Sequence, residues 1–121
     1  MSFPVLICDD SAIARKMVQR SLPENFASEI QLACNGQEAV DKLREKPFAL
    51  LLLDLTMPIM DGIEVLQEIK KHCIEVFVIV ISGDIQPEMK LRVEKLGALD
   101  FIEKPVDPPK LMSVLQRFGL Y

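Results

Sequence analysis

Three short runs of unbroken apolar residues constrain this chain more than any other feature: residues 5–8, residues 48–53 and residues 76–81. A strand with one face in water alternates apolar and polar side chains. These runs do not alternate, so each is expected to be buried on both faces. That is the mark of a parallel sheet covered by helices on its two sides.

The segments between the runs supply the helices. Residues 11–22 place Ile13, Met17 and Val18 inward and stop at Pro23. Residues 35–38, Asn-Gly-Gln-Glu, resemble a capping box. It opens a helix with Ala39, Val40 and Leu43, which Pro47 closes. Asp61 and Glu64 form a second cap pair ahead of Val65, Leu66 and Ile69. Pro87 suits the first turn of a helix bearing Met89, Val93 and Leu96, with Gly97 at its end. Asp107-Pro108 starts the last helix, whose stripe is Leu111, Val114, Leu115 and Phe118, ending at Gly119. Residues 30–34 and 99–103 read as two less apolar strands, suited to the sheet edges. The chain is thus β-α repeated five times. Right-handed crossovers favour strand order 2-1-3-4-5, an α/β doubly wound five-stranded parallel sheet of the flavodoxin-like (βα)5 kind.

With 121 residues, half of them hydrophobic, one domain spanning 1–121 is expected, with a core that needs no disulfide. A net charge of -4 argues against a nucleic-acid-binding face but leaves room for a partner with a basic patch. Cys8, Cys34 and Cys73 have no C-x-x-C spacing and read as small buried thiols in a reducing compartment. No apolar run approaches the ~20 residues of a membrane span, and no leader pattern opens the sequence. A cytoplasmic location is the expectation.

In that strand order the chain reverses direction between strands one and three. Ligands bind there, outside the carboxyl ends of the strands. Asp9 and Asp10 end strand one and Asp54 ends strand three, so three carboxylates meet in the crevice. Crowded like charges call for protonation or for a hard divalent cation, and a Mg²⁺ site that also takes phosphate oxygens fits. Ser82 ends strand four and Lys104 ends strand five, adding a hydroxyl and an ammonium suited to phosphate oxygens. Taken singly, each of these residues has an ordinary reading as a cap, a turn or a solvated lysine. Together they describe a site for an aspartyl phosphate, with Asp54 as nucleophile on a rigid strand end.

These residues are similar to those of a response regulator receiver domain, over essentially the whole chain. The match lies in Asp9-Asp10, in the run Asp54-Leu55-Thr56-Met57-Pro58-Ile59-Met60-Asp61-Gly62, in Ser82 and in Phe101-Ile102-Glu103-Lys104-Pro105. The resemblance implies a phosphoacceptor switch of two-component signalling, like the single-domain chemotaxis regulators. Asp54 would accept a phosphoryl group from a phosphohistidine on a sensor kinase or phosphotransfer protein. Asp10, Asp54 and the Thr56 backbone carbonyl would bind Mg²⁺, with Asp9 reaching it through water. Ser82 would turn toward the phosphate, Phe101 would move inward, Lys104 would pair with phosphoryl oxygens, and the Lys104-Pro105 peptide would be cis. The face formed by residues 87–118 would carry the signal to a downstream protein, with the chain a monomer or a phosphorylation-dependent dimer. Beyond its own phosphorylation and dephosphorylation no enzymatic activity is implied.

Three positions depart from the family's common pattern. Gly83 stands where alanine is frequent, Asp84 adds a carboxylate near the phosphate, and Thr56 replaces longer side chains. All three are expected to tune phosphoryl loss. A phosphatase of the haloacid dehalogenase type shares the aspartate, Mg²⁺ and lysine but wants an aspartate two residues after the nucleophile, where this chain has Thr56. A docking module that is never phosphorylated would typically lack one of the acidic residues or the lysine. His72, the sole histidine, reads as a solvated imidazole near a helix C-terminus. The sequence leaves open the kinase, the target and whether the receiver stands alone.

Overall fold

The structure, a computed structural model, describes residues 3–84 and 86–121. Its elements are β1 (Phe3–Cys8), α1 (Ala12–Ser21), β2 (Ala27–Ala33), α2 (Gly36–Glu45), β3 (Leu50–Leu53), α3 (Gly62–Lys71), β4 (Phe77–Ser82), α4 (Pro87–Lys95), β5 (Asp100–Glu103) and α5 (Pro108–Arg117). The strands are parallel and ordered β2-β1-β3-β4-β5, as the apolar runs predict. The register pairs Cys8 with Leu53 and Ser82 with Glu103, so the strands end at one common edge.

Two cores flank the sheet. Leu6, Cys8, Leu51, Leu53, Val78 and Val80 face α2 and α3, while Val5, Ile7, Leu50, Leu52, Ile79 and Ile81 face α1 and α5. Alternate residues of one strand therefore serve opposite cores, which is why the central strands are apolar up to Ser82 at the carboxyl end of β4. Ser11, Asn35, Asp61 and Asp107 each cap a helix by accepting a backbone N–H three residues on. At Asp61 the box is complete, since the Glu64 carboxylate accepts the Asp61 N–H. At Asn35 only half of the expected box forms, because the Glu38 carboxylate accepts the Cys34 thiol instead.

Some expectations are corrected. Ile13 is 74% exposed and Met17 is also exposed; Val18 is the apolar residue that α1 buries. Ile13 lies in the first turn of α1 and belongs to neither core. Phe118 is likewise exposed at the C-cap of α5. Of the thiols only Cys8 is buried; Cys34 follows the last residue of an edge strand and Cys73 follows the C-cap of α3, and both are exposed. Strand β2 starts at Ala27, three residues before the apolar pattern, because an edge strand tolerates Ser28 and Glu29.

Candidate functional site

The carboxyl edge of the sheet is built by backbone pairing. The Asp9 N–H donates to Ala33 O at 3.1 Å, and the Asp54 N–H donates to Cys8 O at 2.9 Å, so both acidic strand ends are held in the ladder. The loop after Asp54 returns at Gly62, whose N–H donates to Leu55 O at 2.9 Å. A Cβ at Gly62 would overlap the Asp54 carbonyl oxygen and the Leu55 Cα, so helix α3 can start this close to the site only with glycine there.

Asp9, Asp10 and Asp54 each offer a carboxylate oxygen, all within 4.8 Å of one another. Asp54 is 5% exposed and Asp9 is as deeply buried, whereas Asp10 faces water. Asp9 Oδ1 accepts the Ser11 N–H at 2.9 Å and Asp9 Oδ2 accepts Lys104 Nζ at 2.8 Å. The same ammonium stands 3.3 Å from Asp54 Oδ1. Burial and then the charge of Asp9 push the Asp54 carboxyl above the usual carboxylate range, and Lys104 only partly opposes them. Lys104 itself, despite a burial that works against its charge, is held above the ordinary lysine value by its hydrogen bond to Asp9 and by both carboxylates. Beneath the site, burial and the charges of Asp9 and Asp54 raise the Cys8 thiol to about 12. It stays protonated against Asn35 O and Met57 Sδ, each 3.4 Å away.

This geometry can be set beside known proteins. Residues 5–116 match the model of the response regulator receiver domain. The chain belongs to that family. CheY of Bacillus subtilis is 35% identical to this receiver over 117 residues, covering 97% of this chain and 98% of that protein. CheY of Thermotoga maritima is 36% identical over 113 residues, covering 93% and 94%. Among solved structures, a chain of the CheX–CheY–BeF3–Mg²⁺ complex from Borrelia burgdorferi superimposes with a TM-score of 0.90 at 32% identity, covering 97% of this receiver and 89% of that chain. The chain is therefore a CheY-like receiver domain of two-component signalling. Among its described residues, no helix is long and apolar enough to cross a membrane.

The receiver's remaining candidate residues lie around the carboxylates. Ser82 is buried at the end of β4, and its hydroxyl accepts the Asp84 N–H at 3.1 Å. The Lys104 N–H donates to Ser82 O at 2.9 Å, which ties the hydroxyl-bearing strand end to the lysine-bearing one. The Lys104-Pro105 peptide is cis. Phe101 on β5 is half-buried against the core facing α2 and α3. Thr56 and Asp84 line one cleft with Met57, Asp61, Met89 and Arg92. Gly83 is exposed, and a Cβ there would meet open space.

Two residues in the receiver's site escape sequence reasoning. Lys90 Nζ stands 5.5 Å from the Phe101 ring centroid, a contact between helix and strand with no local sequence signal. Arg15 donates from Nη1 to the Asp9 carbonyl oxygen at 2.7 Å. Its signal was available: α1 has no acidic residue in its first turn, and a cation there opposes the helix dipole.

Proposed function

We propose that this receiver accepts a phosphoryl group on Asp54 from a phosphohistidine of a partner kinase or phosphotransfer protein. The observation that carries this reading is the placement of Lys104 Nζ between Asp9 and Asp54, beside three converging carboxylates. The all-oxygen donor set fits Mg²⁺. Asp10, Asp54 and the Thr56 carbonyl would hold the ion directly. Asp9, whose two oxygens already accept Ser11 N–H and Lys104, suits contact through water. When bound, Mg²⁺ supplies positive charge to the transferring phosphoryl oxygens.

The chain's own residues perform the rest. An Asp54 Oδ attacks phosphorus, the bond to the donor imidazole nitrogen breaks, and that nitrogen keeps the electron pair. Lys104 shifts from Asp54 to the new phosphoryl oxygens while Asp9 keeps it in place. The phosphoryl group adds roughly two negative charges. Ser82 then gives up the Asp84 N–H and donates to a phosphoryl oxygen, and Phe101 moves in behind it. The signal leaves through α4, β5 and α5 to a downstream protein. The receiver catalyses only its own phosphorylation and dephosphorylation, with Thr56, Gly83 and Asp84 setting the rate of loss. Intact mass after incubation with phosphoramidate and Mg²⁺ tests this. One phosphoryl group should appear on the wild type and be absent from Asp54→Asn and from samples without Mg²⁺. An adduct that survives Asp54→Asn overturns the assignment.

A further inference from the structure

We propose that Arg15 is a positioning residue for the cation site: it fixes the Asp9-Asp10 peptide so that the Asp10 carboxylate meets those of Asp9 and Asp54. This rests on the Mg²⁺ reading of the site given above. The ladder of β1 ends with Cys8 O accepting the Asp54 N–H. The next carbonyl, that of Asp9, lies beyond the ladder and belongs to the peptide unit whose N–H is that of Asp10. A free peptide plane there could rotate and swing Asp10 out of the cluster. The N–H side of Asp9 is pinned to Ala33 O, and its carboxylate is pinned by Ser11 N–H and Lys104. Arg15 closes the remaining freedom by donating to the Asp9 carbonyl at 2.7 Å, a short charge-assisted bond from a half-buried side chain.

The position of Arg15 also matters for its charge. Among the described residues it forms no ion pair, although three carboxylates, Asp9, Asp10 and Asp54, converge at the carboxyl edge of β1 and β3. It therefore leaves the carboxylate oxygens that a cation needs unoccupied. A guanidinium donor reaching out of the helix to the preceding strand end also explains a cation in an opening turn where the dipole disfavours it. Partners that orient metal ligands without touching the metal typically carry a tenfold or larger effect on affinity.

The two contributions of Arg15 have opposite signs. Removing a nearby positive charge would tighten Mg²⁺ binding, whereas releasing the Asp9-Asp10 peptide would weaken it. Isothermal titration with Mg²⁺ alone, on wild type, Arg15→Lys and Arg15→Met, separates them, with thermal unfolding of metal-free protein run alongside. Arg15→Met should weaken Mg²⁺ about tenfold. Arg15→Lys, which keeps the charge and a single donor, should weaken it by roughly two- to fivefold. Binding that is unchanged or tighter in Arg15→Met overturns the proposal. If Arg15→Met does not fold, Arg15→Lys decides by the same criterion. Absence of Mg²⁺ binding in the wild type would remove the site reading itself, whereas normal wild-type binding that the variants leave intact removes only the role of Arg15.

Discussion

Lys104 Nζ lies 2.8 Å from Asp9 Oδ2 and 3.3 Å from Asp54 Oδ1, so one ammonium serves two buried carboxylates. Removing it leaves like charges facing each other with no protein counter-charge between them. Breaking a fully buried pair typically costs 3–5 kcal/mol; the Lys104 side chain is 29% exposed, which reduces the expectation for Lys104→Ala to about 1–3 kcal/mol at neutral pH. The loss should shrink when saturating Mg²⁺ is added, because the ion substitutes for the missing charge. Urea unfolding with and without Mg²⁺ checks this, and a variant as stable as wild type without Mg²⁺ would show that the ammonium is not the counter-charge.

Asp54→Asn should stabilise the protein. The folded-state pKa of Asp54 is raised, by burial first and by Asp9 second. A raised acid favours folding only while it is protonated, and that contribution is lost as pH rises through the folded value. At pH 7 the ionised wild type therefore carries a cost that asparagine avoids, and the variant should melt at the higher temperature. The gap should close as pH falls through the raised pKa and below the ordinary carboxylate value. Melting curves between pH 3 and pH 8 (a range spanning roughly the ordinary Asp value to neutrality) would show it; a gap that widens in acid contradicts the sign.

What the sequence revealed and what it hid follow from the range of the interactions. The strand order and the carboxylate cluster depend on burial of whole runs and on where those runs end, and both are local patterns: Leu50–Leu53 followed by Asp54 is readable letter by letter. Ile13 and Met17 have the helical spacing of inward residues but are exposed, and Met17 borders a surface cleft with Ile81, Lys104 and Val106, a fact of three dimensions. Lys90 over Phe101 and Arg15 on the Asp9 carbonyl join an exposed, flexible cation to an acceptor on another element. No period or composition encodes the first pair; of the second the sequence shows only a cation in an opening turn, not the carbonyl it reaches.

Gly62 and Gly83 should respond oppositely to alanine. At Gly62 the new methyl group would overlap backbone atoms of Asp54 and Leu55, which cannot retreat without moving the phosphoacceptor. Overpacking of this kind costs about 1–3 kcal/mol, and phosphoramidate labelling should slow in parallel. At Gly83 nothing stands within 4 Å of the added Cβ, so alanine only restricts the unfolded chain and should stabilise by roughly 0.4–1 kcal/mol. Paired thermal melts decide the matter, and equal effects at the two positions would refute the packing account.

Ile59 is a β-branched residue held at φ 70°, with the Met60 N–H donating to Pro58 O at 2.7 Å across it. That three-residue turn with positive φ is a rare and strained form. The side chain is 78% exposed and so recovers little by burial. Left-handed backbone costs an L-residue roughly 1–2 kcal/mol, of which glycine's extra unfolded-state freedom returns about half. Ile59→Gly should therefore gain about 0.5–1 kcal/mol in denaturant unfolding, and a loss would place Ile59 in packing that its exposure does not reveal.

Lys90 bears on the switch itself. Its ammonium sits 5.5 Å from the Phe101 centroid, over a ring that is half-buried and on the proposed path inward. If Phe101 swings in when Asp54 is phosphorylated, it leaves the cation behind. The contact then favours the outward ring by about 0.5–1 kcal/mol, the range for exposed cation–π pairs. A ligand that requires the inward ring must overcome that amount, because it shifts the equilibrium only by its differential affinity for the two arrangements. Lys90→Ala should therefore bind beryllofluoride, in the presence of Mg²⁺, roughly two- to fivefold more tightly than wild type. Lys90→Arg, which keeps the cation on the ring, should stay near wild type. The decisive control is a double-mutant cycle: in a Phe101→Ala background the Lys90 substitution should change nothing, since the ring that the cation holds is gone. Tightening that persists without the ring would mean that Lys90 acts through long-range charge on the anionic adduct, and the proposed restraint on Phe101 would fall.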